Sequence, residues 1–204
     1  MPKDKTETHK KIVAAAKAEF LEKGFEQASM RNIAAQVGMS AAGIYRHFED
    51  KEAMFAALVD PVLEECSRRY EQHKRWDYEQ LDQNNLDAMW ESGTDAEMIL
   101  TLVYEYLDEF KLLLCCSEGT RYTHFIHDLV MLEQKETEDY MAVAKQRGVP
   151  VREIRSEELH LLLSAYVTAM FETVIHDFSR EEAEHDMVTL HEFFSPGWRA
   201  VLGL

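Results

Sequence analysis

Apolar positions along this chain recur at the three- and four-residue spacing of amphipathic helices, with almost none of the alternation that marks strands. From Thr6 to Lys23, Ile12, Val13, Ala16, Phe20 and Leu21 share one stripe, and Gly24 stands where a left-handed cap would end the helix. The stretch SMRNIAAQVGMSAAGIYRHFEDKEAMFAAL, Ser29 to Leu58, then predicts two very short helices. In the first, Ile33, Ala34 and Val37 follow a Ser29 N-cap and end at Gly38. In the second, Ser40 is the N-cap, Ile44 and Phe48 point inward at i, i+4, and Ala41, Ala42, Gly43, Tyr45, Arg46 and His47 turn outward. Helices this short are unstable alone in water, where ~12 to 15 residues is already marginal, so both must be held by their neighbours. Two short helices joined by a tight glycine turn, the second with a polar and aromatic outer face, form a helix-turn-helix, the unit that places its second helix in the DNA major groove.

The rest of the pattern is also helical. A long helix is expected from about Lys51 to Lys74, with a kink or a fresh start at Asp60-Pro61, because proline removes one intrahelical hydrogen bond and crowds the preceding turn. Further helices are expected near 78–91, 94–115, 118–147, 152–178 and 181–203, with ESGTD and RGVPVRE as the clear breaks. The fold class is therefore all-α, with about nine helices. Residues 1–51 are expected to form a three-helix headpiece, the start of helix 4 extending it to about 60, and residues 52–204 a larger helical domain. The last two helices carry apolar faces wider than one core needs. Leu159, Leu163, Tyr166, Met170 and Val174 on one, with Leu190, Phe194 and Trp198 on the other, are the candidate contacts of a homodimeric four-helix bundle.

Composition narrows the function. The longest apolar run, FKLLLCC, falls far short of the ~20 residues of a membrane span, and no apolar leader opens the chain, so a cytoplasmic protein with no membrane partner is expected. Three cysteines, Cys66, Cys115 and Cys116, suit buried thiols better than a disulfide framework. A net charge of -16 opposes nucleic acid as a partner, but the charge is uneven. Residues 1–51 hold nine Lys and Arg against seven Asp and Glu, whereas residues 52–204 hold 13 against 31. Only the first quarter of the chain can approach a phosphate backbone without general repulsion. The chain has no Gly-rich phosphate loop, no nucleophile motif and no second histidine near His191 to make a zinc protease helix, so an enzyme is not expected.

At Phe20 to Leu58, FLEKGFEQASMRNIAAQVGMSAAGIYRHFEDKEAMFAAL, the chain resembles the N-terminal domain of TetR family transcriptional regulators: Gly-Phe, a Ser cap, the turn glycine and the Tyr-x-His-Phe helix stand at fixed spacing. The resemblance implies a homodimeric all-α regulator that binds a palindromic double-stranded operator, usually represses, and is released by a small-molecule effector, with residues 52–204 as its ligand-binding and dimerisation domain; it implies no other cofactor. Carried over by position, it assigns phosphate contacts to Ser29, Arg31 and Ser40 and backbone contacts to Tyr45, His47 and Lys51. Base reading falls to Ala41, Ala42, Gly43 and Arg46. The first three depart from the usual Lys, Gly and Thr or Ser, so they offer methyl contact to thymine but no side-chain hydrogen bond. Affinity is then expected to rest mainly on phosphate contacts and operator shape.

The acidic body gives weaker signals. Tyr70, Trp90, Tyr104, Arg121, His124, Phe125, Asp128 and Tyr166 are candidate walls of an effector pocket, although core packing accounts for such residues equally well. In RYTHFIHD, His124, His127 and Asp128 have the spacing to meet a metal on one helix face, but satisfied or exposed histidines are the preferred reading, and no metal is expected. Two alternatives to a repressor stay open: an acidic helical-bundle module for protein interaction, and a transcriptional activator.

Overall fold

The computed structural model describes residues 5–87 and 94–203. Among these residues every regular element is a helix, nine in all: α1 (Lys5–Gln27), α2 (Met30–Gln36), α3 (Ala41–Ile44), α4 (Lys51–Asp82), α5 (Thr94–Glu105), α6 (Leu107–Cys115), α7 (Phe125–Gln146), α8 (Ser156–Ile175) and α9 (Arg180–Leu202). The helices cluster into two compact units. One holds the chain up to Cys66 together with Tyr106–Thr123; the other holds Ser67–Glu105 and the chain from His124 onward.

The first unit is built on α1. Ile12, Ala16 and Phe20 are fully buried against Ile33 of α2, Ile44 of α3 and Phe55 of α4. The rings of Phe20 and Phe25 both meet Phe55 edge-on, at 5.2 and 5.6 Å. Gly24 breaks α1 at φ 72°, ψ 165°, a conformation that only glycine adopts without strain.

One charged side chain sits in this apolar interior. Glu19, 1% exposed, accepts hydrogen bonds from Lys23 Nζ (3.0 Å), Ser29 N–H (3.2 Å), Asn32 Nδ2 (3.1 Å) and Gln36 Nε2 (3.3 Å). Burial pushes its pKa up, but the bonds from Lys23, Asn32 and the Ser29 amide outweigh that and hold the carboxyl below the ordinary value.

In the second unit, α8 buries Leu159, Leu163, Val167, Met170, Phe171 and Val174, and α9 contributes Ala183, Met187 and Leu202. A smaller cluster of Leu81, Tyr140 and Ala144 joins the end of α4 to α7. By length and composition α8 is apolar enough to cross a membrane, which run length had not suggested. Leu159, Leu163, Val167, Met170, Phe171 and Val174 face the interior of the unit, whereas Leu161 and Ile175 are exposed.

The structure moves several expected boundaries. α4 runs through Pro61 as one helix, with no fresh start at Asp60. Pro61 is exposed and forfeits a single backbone bond, while its neighbours Leu58, Val59 and Val62 are buried and hold the helix on course. Within the expected helix at 78–91, α4 stops at Asp82 before Asn84 turns back at φ 55°, and residues 88–91 lie outside the described residues. Trp90 lies outside the described residues. The 94–115 helix is divided at Tyr106 (φ -124°, ψ 41°).

Residues 117–124 are turns, so the helix expected from 118 begins at Phe125. Here the Ser117, Thr120 and Thr123 hydroxyls donate to nearby backbone carbonyls at 2.7 to 3.0 Å, offering the chain an alternative to helix. α8 begins at Ser156 rather than 152, and Pro196 lies inside α9, which continues to Leu202. Of the three thiols only Cys116 is buried, with Cys66 half-buried and Cys115 exposed at the end of α6.

Replacing Glu19 with Gln should destabilise the first unit by about 1 to 3 kcal/mol, because donors built around a carboxylate then face an amide. The lowered pKa fixes the sign with pH. Wild-type stability from Glu19 is fully present above the ordinary carboxylate value and lost as pH falls through the folded-state value, and Glu19→Gln should lack that acid loss. Urea unfolding at several pH values measures both.

Candidate nucleic-acid interface

The turn between α2 and α3 is set by two caps. At the end of α2, Met39 N–H donates to Ala34 O (2.9 Å) and Gly38 N–H to Ala35 O (3.1 Å), with Gly38 at φ +67°, which is a Schellman motif. Ser40 then starts α3, its hydroxyl accepting from Gly43 N–H at 3.2 Å. Ser29 takes the extended N-cap conformation of α2 but makes no side-chain cap bond; its amide goes to Glu19 instead.

Most residues carried over from the resemblance are accessible on this surface. Arg31, Ser40, Ala42, Tyr45 and Arg46 are exposed, Tyr45 at 53%, and Ser29, Ala41 and His47 are half-buried. Gly43 is buried. A Cβ there would lie 3.1 Å from the Met39 methyl, so glycine lets Met39 fold over the start of α3. His9 of α1 stacks on Phe48 at 5.0 Å and lies 6.0 Å from His47 between ring centroids, which brings an α1 residue to the rim of α3 that the sequence pattern did not single out.

Lys51 is turned inward. Its ammonium donates to Phe25 O (2.6 Å), Glu26 O (3.0 Å) and Ala28 O (3.3 Å), and lies 4.4 Å from the centre of the Phe25 ring. An ammonium has three donors, and all three are spent on the end of α1 and the entry to α2. Lys51 therefore acts here by fixing the approach to α2. Glu19 was not anticipated either, although it falls beside Phe20 on the stripe of Ile12 and Ala16. A carboxylate on an inward face signals that donors must be waiting for it.

Among the described residues, the candidate pocket side chains have these surroundings. Tyr70 lies among Glu71, Asp77, Glu133 and Glu136; burial first, then these carboxylates, push its hydroxyl well up. Tyr104 Oη donates to Phe178 O at 2.9 Å, Phe125 packs edge-on against Phe171, and Tyr166 packs on Phe194 and Trp198. Arg121 belongs to the first unit, where it pairs with Asp60. His124 is the N-cap of α7, His127 lies 6.1 Å from His160 between ring centroids, and Asp128 is exposed in the first turn. Among the described residues, no three His, Cys, Asp or Glu side chains are gathered to hold a metal.

Of the candidate dimer contacts, Leu159, Leu163, Met170 and Val174 are buried inside the second unit, and Tyr166, Leu190, Phe194 and Trp198 are half-buried. The large apolar side chains left in solvent on α8 and α9 are others: Leu161 (71% exposed), Ile175 (42%), Val188 (58%) and Phe193 (75%).

Residues 12–58 match the family model of bacterial regulatory proteins of the tetR family. The helix-turn-helix regulator YfiR of Bacillus subtilis is 30% identical over 109 residues, which span 52% of this chain and 51% of that protein. A helix-turn-helix regulator of Staphylococcus aureus is 26% identical over 180 residues, spanning 80% of this chain and 96% of its own length. In fold, the chain is similar to NalD, the secondary repressor of the MexAB-OprM multidrug efflux pump in Pseudomonas aeruginosa, with a TM-score of 0.59 at 19% identity over 93% of this chain and 97% of NalD. Residues 12–58 are thus a helix-turn-helix region of the tetR type, and over most of its length the chain is similar to helix-turn-helix transcriptional regulators.

The two kinds of interface residue separate experimentally. Tyr45→Ala should leave unfolding unchanged within about 0.5 kcal/mol, because the side chain is mostly in solvent, yet weaken binding to duplex DNA about tenfold. Lys51→Met should cost about 1 to 3 kcal/mol of stability, since it leaves three carbonyls without their donor. Denaturant unfolding paired with fluorescence anisotropy on a labelled duplex measures both.

Proposed function

We propose that the protein is a homodimeric repressor that is released from a palindromic operator by a small-molecule effector. The observation that carries the DNA half of this reading is the exposed row Arg31, Ser40, Ala42, Tyr45 and Arg46 on α2, α3 and the residues just after, in the one part of the chain that is not strongly acidic. The dimer half is supported by Leu161, Val188 and Phe193. Large apolar side chains this exposed on neighbouring helices suit burial against a second copy.

A dimer explains how a weak, phosphate-dominated contact becomes specific. Two recognition helices related by a two-fold axis meet half-sites about 34 to 36 Å apart, one helical turn, and each doubles the other's register constraint. Effector and operator then favour different spacings of the two headpieces. Each weakens the binding of the other by one coupling free energy, ordinarily about 1 to 3 kcal/mol. The strongly acidic remainder of the chain favours a second reading, a module that docks basic protein surfaces, and DNA selection distinguishes the two.

Selection of binding sites from a random duplex pool at two salt concentrations should enrich a palindrome with half-sites one turn apart, more weakly retained at the higher salt. Enrichment of nothing at either salt contradicts the proposal. Phe193→Glu combined with Leu161→Glu should convert the dimer to a folded monomer in sedimentation and weaken duplex binding more than tenfold. Double substitution without any change in mass contradicts the dimer face.

A further inference from the structure

Ile12, Ala16 and Phe20 mark the inward stripe of α1, and His9 stands one turn before Ile12 at the edge of that stripe. His9 is exposed, yet its ring is held in place. It stacks on Phe48, itself 7% exposed, with 5.0 Å between ring centroids and 23° between ring planes. His47 lies 6.0 Å from His9 between centroids. It sits on the turn that continues α3, its amide donating to Ile44 O at 2.8 Å, directly after the exposed Tyr45 and Arg46. Two imidazoles from separate elements are thereby brought together at the rim of α3.

Among the described residues, neither ring is hydrogen-bonded or paired with a carboxylate. The charged groups on the surrounding elements are engaged elsewhere or add positive charge. On α1, Glu7 lies 3.6 Å from Lys10, and Lys11 follows. After α3, Arg46 precedes the pair, Glu49 is exposed, and Asp50 accepts the Ala53 amide at 2.7 Å. At the start of α4, Lys51 is turned to the carbonyls of α1, and Glu52 accepts the Arg121 amide at 3.1 Å.

Imidazole is the side chain whose charge ordinarily changes between pH 5 and 8. Two imidazolium rings this close repel each other. A phosphate diester lying against both relieves that repulsion and accepts a charge-assisted hydrogen bond from each. The charge count gives the pair weight. His9 and His47 are the only histidines in residues 1–51, where nine Lys and Arg against seven Asp and Glu leave +2, so protonating both doubles the charge to +4.

We propose that His9 and His47 form a paired imidazole site for one backbone phosphate of bound duplex, so that proton uptake by the pair strengthens duplex binding as pH falls. This inference rests on the reading of the protein as a DNA-binding regulator. It extends the interface from α3 onto α1 and makes affinity depend on pH. Linkage runs in both directions: protons favour duplex, and bound duplex favours protons on the pair.

The experiment uses the full chain and the duplex it enriches from a random pool, with affinity measured over a range of salt at about pH 6 and about pH 8. Wild type should bind at least about fivefold more tightly at the lower pH and with a steeper salt dependence, since each added phosphate contact contributes about 0.9 to the slope. His9→Gln keeps a polar side chain without the charge and should lose about half of that pH response. His9→Arg is charged at both values, so it should bind more tightly than wild type at the higher pH and also lose about half of the response. His185→Gln, which removes an imidazole from α9, should leave the response intact. Thermal unfolding of each variant accompanies the titrations.

Affinity that is independent of pH in wild type overturns the proposal, as does a full pH response in His9→Gln. Weaker binding by both His9→Gln and His9→Arg at the higher pH overturns it too, because His9 then only packs on Phe48. An equal loss of response in His185→Gln overturns it by showing a general effect of net charge. No duplex binding by wild type at either pH overturns the regulator reading itself, so the two failures are distinguishable.

Discussion

The carboxylate of Glu19 is, among the described residues, the one buried charge of the first unit, and the geometry of the helix-turn-helix depends on it. α2 has seven residues and α3 four, and neither is long enough to persist by its own hydrogen bonds. Glu19 supplies what α2 lacks. It accepts the Ser29 amide at the N-cap and the side chains of Asn32 one turn on and Gln36 two turns on, so the helix is fixed both along its axis and about it. Lys51 performs the complementary task with the opposite charge, gathering the last carbonyls of α1 and that of Ala28. Between these two side chains the entry to α2 has no freedom, and the Schellman turn at Gly38 passes that orientation on to α3.

This arrangement explains why much of the first unit was legible in the sequence. Caps and tight turns are local. Ser40, Gly38 and the Ile44–Phe48 pair announce themselves at fixed offsets, and the structure places each as expected. What was not legible depends on partners distant in the chain. Glu19 looks like a solvated charge until its four donors converge on it. Lys51 gives no sign of its three carbonyl partners until the end of α1 is seen beside it. The turns at 117–124 were read as helix because periodicity registers apolar spacing and is blind to Ser117, Thr120 and Thr123 bonding their own backbone.

The second unit was harder for a related reason. An apolar stripe identifies a buried face without saying whose surface buries it. Leu159, Leu163, Met170 and Val174 satisfy the same periodicity as a dimer seam, yet are consumed by the unit's own core. Leu161 and Phe193, which fall off that stripe, are the ones left in solvent. Several candidate pocket residues are engaged locally: Tyr104 bonds Phe178 O, Phe125 packs on Phe171, and Tyr166 packs on Phe194 and Trp198. Charge, in contrast, survived the passage from sequence to structure. Acidic residues crowd the chain after residue 51, and the least acidic stretch carries α2 and α3. Any anionic duplex is thereby confined to one end of the chain.

The central claim is that the exposed start of α3 faces the bases of duplex DNA. A photoreactive side chain at position 42, where Ala42 is exposed, tests it most directly, with the same group at the equally accessible position of Leu161 as the control. The account predicts crosslinks to bases from position 42 and none from position 161. Retention of the duplex with crosslinks from 161 and none from 42 would contradict it, because DNA would then be held by a surface other than the helix-turn-helix.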